Sequence, residues 1–210
     1  MMKKLILASL LIIISVNLSY SQDSDQRKHR FRMSIAEGKS NFYGYSGLSS
    51  FDYHIDNYDA GYTSCEIGLI YNDKSEIDFG LTAIGANFIY GNGIKESTGL
   101  SYLNISVKAM FLILEKLYLK PSVGLGLLST TSQIYLGDNK YEIKRNGYAT
   151  NMDFALEYKV YKNMFIGFKL GALIGNLKEP KLPTDLELYR SNHLNSILST
   201  NSAITFSVAL

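Results

Sequence analysis

The chain has 210 residues, with 21 lysines and arginines against 19 aspartates and glutamates, a formal net charge of +2 and a single cysteine, Cys65. This balance excludes the basic excess that marks a nucleic-acid-binding protein. A single cysteine also excludes an intrachain disulfide, so the fold must be stabilised in another way.

The N-terminus predicts a cleaved secretory signal peptide rather than an uncleaved anchor helix. Lys3 and Lys4 precede an apolar run over 5–16, and Ser19 and Ser21 are small residues at the positions that a signal peptidase reads. The run is shorter than the roughly 20 residues that a membrane-spanning helix needs. We expect cleavage after Ser21. This divides the chain into a signal peptide over 1–21, a short polar stretch over 22–29 and one remaining domain over 30–210.

From residue 30 onward, apolar and polar residues alternate in eight stretches. In the seventh stretch, Met164, Ile166 and Phe168 fall on one parity, and Gly167 and Lys169 fall on the other. Successive side chains of a strand point to opposite faces, so each stretch predicts a strand with one apolar face. The eight predicted strands cover 30–38, 61–72, 76–90, 100–113, 117–128, 148–159, 163–175 and 199–210.

The connections between these strands are alternately long and short. Those over 39–60, 129–147 and 176–198 are long and 91–99 is moderate, whereas the three between them are tight turns. No uncharged apolar stretch of helix-spanning length follows the signal. Short periplasmic turns and long external loops are typical of outer-membrane barrels. We therefore predict a closed, antiparallel, eight-stranded up-and-down β-barrel with both ends of the mature chain in the periplasm.

The polar parity of the predicted strands carries charges that would point into the lumen. An eight-stranded barrel has an interior only wide enough for side chains, and buried charges need partners. We expect these residues to form a network of ion pairs and hydrogen bonds that fills the lumen; the alternative is an ion path. The charged residues of this parity are Arg30, Arg32, Glu66, Asp78, Lys108, Lys120, Asp153, Glu157 and Lys169.

Tyrosine and phenylalanine are concentrated in the first long connection and near the strand ends. Tyr43, Tyr45, Tyr53, His54 and Tyr58 lie in or beside a Gly/Ser-rich stretch, a composition typical of adaptable binding surfaces. The alternative is that they pack a cap above extended strands. A membrane-interface belt is predicted from a second set of aromatic residues near the strand ends, Tyr71, Phe79, Phe111, Tyr148 and Tyr158.

The sequence gives no signal for catalysis. His29, His54 and His193 lack a nucleophile or metal-ligand spacing around them, and no Gly-rich phosphate loop is present. We therefore predict no catalytic residue, no metal and no cofactor, and a protein that is not an enzyme.

The signal ending Ser-Tyr-Ser, the alternating strands and the C-terminal Phe206-Ser-Val-Ala-Leu210 together resemble the small outer-membrane β-barrel family (porin-like) of Bacteroidota, similar in plan to the outer-membrane protein A transmembrane domain and to OmpX. The resemblance implies an outer-membrane location and a terminal strand that barrel-insertion machinery recognises through Phe206, Val208 and Leu210. Members usually end in Phe or another aromatic residue, whereas this chain ends in Leu210.

The leading hypothesis is a monomeric, non-enzymatic barrel in contact with outer-membrane lipid, with a structural role or an extracellular ligand at its loops. Three alternatives are kept. The first is a small channel for ions or solutes, the second is a lipid-modifying barrel enzyme, and the third is a soluble lipocalin-like binding barrel.

Overall fold

The computed structural model describes residues 30–43, 55–71, 74–90, 95–179 and 195–210; Arg30, Phe42, Tyr43, residues 55–59 and Tyr90 are described by their backbone alone. The predicted signal peptide lies outside the described residues. The described part of the chain forms nine strands, which are β1 (Arg30–Tyr43), β2 (Ile55–Tyr71), β3 (Ser75–Tyr90), β4 (Lys95–Ala109), β5 (Phe111–Leu114), β6 (Leu117–Leu136), β7 (Asn139–Tyr161), β8 (Met164–Leu177) and β9 (Ser196–Ala209).

The strands form one antiparallel sheet that closes on itself. Consecutive strands are hydrogen-bonded neighbours, β4 also pairs with β6, and β1 pairs with β9 from Arg32↔Ala209 to Tyr43↔Leu198. The ring of pairings therefore runs through β1, β2, β3, β4, β6, β7, β8 and β9. This is the up-and-down order that the sequence predicts.

The register of the pairings sets the shape of the ring. Starting from Arg32 and following paired residues once around the ring, the path ends on Phe42, ten residues further along the same strand. A stagger of this size tilts the strands by roughly 40° and gives a backbone radius of roughly 8 Å. The residues on the path are Arg32, Gly68, Asp78, Ser106, Gly124, Asn151, Leu173, Ser199 and Phe42.

The fourth predicted strand is divided, which gives nine strands where eight are predicted. The ladder between β4 and β6 ends at Lys108↔Ser122, and β5 resumes it at Phe111↔Leu119 in the same register. Pro121 lies in the interval between them, and proline has no N–H to donate to a ladder. Met110, at the break, instead donates its backbone N–H to the carbonyl of Lys74 at 2.7 Å.

The prediction of a long connection over 129–147 is wrong, because two paired strands form a long hairpin there. β6 continues to Leu136 and β7 begins at Asn139, and the chain reverses at Gly137 with a φ of +59°. A positive φ of this kind is the conformation that glycine adopts without steric cost. The strands beside the other long connections are also longer than predicted. At the first connection, β1 extends to Tyr43 and β2 begins at Ile55.

The outer face of the sheet is apolar and the inner face is charged, which is the reverse of the arrangement in a soluble protein. On the outer face, Phe79, Leu127 and Ile204 are 61%, 68% and 65% exposed. On the inner face, charged side chains such as Asp78 and Lys120 are buried. Ala109 and Val123 fall on the apolar parity of their strands, which the alternation predicts to face outward, yet both are buried. No helix in the described part of the chain is long and apolar enough to cross a membrane.

Leu170, half exposed near the middle of β8, tests the assignment of the outer face. The sequence predicts that this face contacts lipid, where an arginine is unfavourable, so Leu170→Arg should lower the free energy of unfolding in lipid vesicles by roughly 2–4 kcal/mol. Ser129→Arg is the matched control, because Ser129 lies on the same outer face of β6 beyond the apolar residues. Urea titrations that find the two variants equally stable would contradict the assignment, and Ser106→Ala on the inner face should have a mild effect.

Candidate functional site: the ionic cluster in the lumen

The inner face brings together the charged side chains that alternation placed in the lumen. All eight for which side chains are described are buried, and they come from β1, β2, β3, β4, β6, β7 and β8. These residues are Arg32, Glu66, Asp78, Lys108, Lys120, Asp153, Glu157 and Lys169. We call them, together with Glu76, the lumen cluster.

One half of the lumen cluster is organised around Glu66. Its carboxylate accepts hydrogen bonds from Lys108 Nζ at 2.5 Å and from Lys169 Nζ at 2.6 Å. Lys108 also pairs with Asp78 at 3.0 Å, and Lys169 pairs with Asp153 at 3.5 Å. Each lysine thus bridges two carboxylates, and these bridges join five different strands across the interior.

The other half of the lumen cluster lies nearer the short turns and is organised around Glu157. Its Oε2 accepts a hydrogen bond from Lys120 Nζ at 2.5 Å and one from Arg32 at 3.3 Å. The Arg32 guanidinium lies 4.3 Å from the centroid of the Phe165 ring, a cation–π arrangement. Ser207 Oγ also donates to Glu157 Oε2 at 3.4 Å.

The sequence analysis missed Glu76, which is fully buried in the same cluster. Its Oε2 is 3.5 Å from Arg32 and 4.0 Å from Lys120. It lies two residues before Asp78 on the same parity, so extending the alternation by one step would have found it. A side chain at Gly68 would collide with the carboxylates of Glu76 and Asp78, so the two acids approach each other over this glycine. With Glu76 the lumen cluster holds five carboxylates and four cations.

Apolar side chains close the lumen on both sides of the cluster. Toward the short turns lie Ile70, Met110 and Phe165, with Tyr118 against them. Toward the long connections lies a larger apolar layer, made of Ala36, Tyr62, Ile84, Leu100, Tyr102, Leu128, Ala149, Leu173, Leu177, Ile197 and Ala203. Between the layers, a cavity of about 20 Å³ is lined by Glu66, Lys108 and Lys169 among others. That volume holds about one water molecule, which these polar groups could bind.

Further polar contacts lie at the opposite end of the ring, in segments that the sequence predicts to be connections. Thr98 donates to the buried Glu96 at 2.9 Å, and the buried Arg145 donates from Nε to the carbonyl of Lys178 at 3.0 Å. On the exposed side, a hydrogen bond from Lys144 at 2.7 Å holds the pKa of the Glu142 carboxyl below its usual range. The first contact lies within β4, the second joins β7 to the chain after β8, and the third lies within β7.

The other predicted site residues are placed as follows. Tyr45, Tyr53 and His54 lie outside the described residues, and for Tyr43 and Tyr58 the structure gives only the backbone, in β1 and β2. In the terminal strand, Phe206 and Leu210 are exposed on the outer face and Val208 is half-buried there. Of the predicted belt residues, Tyr71 is half-buried. The other four are exposed, namely Phe79, Phe111, Tyr148 and Tyr158.

The lumen cluster places opposite charges side by side, so it links the strands of the sheet across the interior. Its carboxylates are turned toward lysine and arginine side chains, as the distances above show. Within the described ranges, no three histidine, cysteine, aspartate or glutamate side chains are grouped so that they could hold a metal ion.

The fold is that of the small outer-membrane β-barrels. The chain is similar to the attachment invasion locus protein Ail of Yersinia pestis, with a TM-score of 0.55 and 10% identity over 87% of this chain and 99% of that chain. It is also similar to Neisserial surface protein A, with a TM-score of 0.52 and 12% identity over 88% of this chain and 99% of that one. No protein-family model and no curated protein matches the sequence. At these identities the likeness shows the fold alone.

Glu66 and Glu76 form a matched pair for testing the lumen cluster. Glu66 is bonded to two lysines, so Glu66→Gln should leave Lys108 and Lys169 with one carboxylate partner each and cost roughly 3–5 kcal/mol of unfolding free energy. Glu76 lies 3.5 Å or more from its cations, so Glu76→Gln should cost at least about 2 kcal/mol less. Urea unfolding in lipid vesicles measures both. A larger loss for Glu76→Gln would show that Glu66 is not the centre of the ion pairs.

Proposed function

We propose that this protein is an integral outer-membrane β-barrel with a side-chain-filled lumen, which serves a non-enzymatic structural or surface-interaction role through its external loops. The observation that supports this most is the inverted polarity of the closed sheet. Leu127 is 68% exposed on the outside, whereas the ion pairs of Glu66 with Lys108 and Lys169 are buried inside. Such a surface is stable only where hydrocarbon replaces water as the outer solvent.

The height of the apolar band on the outer face fits a bilayer. On β8 the outer residues from Met164 to Ile174 are apolar. At roughly 3.3 Å per residue and a tilt of roughly 40°, this span rises roughly 25 Å, which is the height expected for a transmembrane barrel. We count β4 and β5 as one spanning strand, because they keep one register against β6. That gives eight spanning strands, and β5 extends the fourth of them to its short turn.

The alternation of connections supports an orientation. The turns after β2, β5 and β7 are short, and the connections at the opposite end include the long β6–β7 hairpin. Placing the short turns in the periplasm puts both ends of the barrel domain there as well, after removal of a signal peptide over 1–21. The aromatic surface proposed for external interactions, Tyr43, Tyr45, Tyr53, His54 and Tyr58, is then outside the cell. Phe206, Val208 and Leu210 would be read by the insertion machinery from the periplasm.

The closed lumen favours this role over a channel. The two apolar layers lie on either side of the lumen cluster, and the cavity between them holds about one water molecule. A conducting path would need a continuous polar route past Ile84, Leu100 and Leu128, which are at most 2% exposed. A monomer is also favoured, because β1 and β9 pair with each other and leave no edge for a second ring strand.

Surface labelling of intact cells tests the proposal. In a Cys65→Ala background, Asp138→Cys at the tip of the β6–β7 hairpin should react with a membrane-impermeant maleimide, and the control Glu115→Cys in a short turn should react only after lysis. Both proteins should migrate faster on gels before heating than after, as closed barrels do. Recovery of the protein in the soluble fraction without detergent would contradict the proposal, and labelling of Glu115→Cys alone would reverse the orientation.

A further inference from the structure

At the short-turn end of the barrel, β5 and the end of β7 expose apolar side chains. The ladder between β3 and β4 ends at the pair Ser75↔Ala109. β5 continues the chain beyond that pair, so it has no described β3 residue beside it. All four residues of β5 are exposed, Leu112 and Leu114 by 59% and 65%. Phe111 and Leu114 pair with the outer-face residues Leu119 and Leu117, whereas Leu112 pairs with Tyr118, which packs against the inner apolar layer. The end of β7 adds Val160 and Tyr161, each about 60% exposed. We call Phe111, Leu114, Val160 and Tyr161 the apolar step.

Three lysines border the apolar step. The backbone N–H of Lys159 donates to the carbonyl of Lys116 at 2.8 Å, so these two residues are adjacent across the β5–β6 and β7–β8 turns. Lys162 follows Tyr161 in the chain, and its Nζ lies 5.5 Å from the centroid of the Tyr161 ring. Glu115 is the acidic side chain at these two turns. We call Lys116, Lys159 and Lys162 the lysine rim.

The lysine rim has a different charge balance from the β6–β7 hairpin at the opposite end of the ring. On the β6–β7 hairpin the exposed Lys140 and Lys144 are offset by Asp138 and Glu142, and Glu142 is paired with Lys144 at 2.7 Å. At the rim, three cations face one acid. Hydrocarbon and cation therefore meet within one small surface at the proposed periplasmic boundary of the bilayer.

We infer that the apolar step and the lysine rim form a binding surface for an anionic phospholipid of the inner leaflet. Such a molecule supplies acyl chains for the exposed Phe111, Leu114 and Val160, and a phosphate for the lysines. Lysines beside an anionic membrane surface strengthen association by roughly fivefold each, and the effect falls as salt screens it. The inference depends on the proposed membrane location and adds a lipid preference to it.

Spin-labelled lipids measure this preference in the whole mature barrel. In phosphatidylcholine vesicles at low salt, labelled phosphatidylglycerol should show a motionally restricted fraction several-fold in excess of that of labelled phosphatidylcholine, and added salt should reduce the excess. The triple variant Lys116→Gln, Lys159→Gln, Lys162→Gln should lose the excess. The matched control Lys95→Gln, Lys140→Gln, Lys144→Gln removes three exposed lysines from the other end and should keep it.

The outcomes separate this inference from the proposed function. If neither lipid shows a restricted fraction, the barrel does not span the bilayer and both proposals fail. If phosphatidylcholine is restricted but phosphatidylglycerol shows no excess, or if the control variant loses the excess equally, only the lipid site is overturned. A restricted fraction that falls for both lipids as protein density rises would indicate a second copy on the apolar step, and would also overturn it.

Discussion

The pairing of β1 with β9 is the interaction on which the rest of this structure depends. Without it the sheet would have two edges of unpaired N–H and C=O groups, each of which costs several kcal/mol in hydrocarbon. The pairing from Arg32↔Ala209 to Tyr43↔Leu198 removes those edges and fixes the stagger of the ring. The stagger in turn sets a radius too small for an empty pore, so the inward side chains must fill the space themselves.

The filling divides the interior by polarity along its length. A charged middle is enclosed between two apolar layers, and the lysines are held by the carboxylates that they bridge. Because charges in a poorly hydrated interior are stable only in pairs, the cluster ties strands that are distant in the ring to one another. Lys169 of β8 and Lys108 of β4 meet on Glu66 of β2. The sheet is thus closed around its circumference by backbone bonds and cross-braced by side chains.

The sequence predicted the order of the strands and the faces on which their residues lie, because alternation with a period of two needs no knowledge of partners. It did not predict which charges pair, since Lys108 and Glu66 meet only through the register of three strands. It misread 129–147 because the outer face of that hairpin is polar above the apolar band, which removes the contrast between parities. It also missed the division at Met110, which follows from Pro121 on the neighbouring strand.

Contact between the outer face of the sheet and acyl chains can be measured directly, because the chain contains no tryptophan. On β8, Phe168 is 47% exposed on the outside and Phe165 is 6% exposed on the inside. In vesicles with brominated acyl chains, the fluorescence of Phe168→Trp should be strongly quenched, whereas that of Phe165→Trp should be nearly unchanged. Quenching of Phe165→Trp alone, or a folded Phe168→Trp protein that remains in water and is not quenched, would contradict the account.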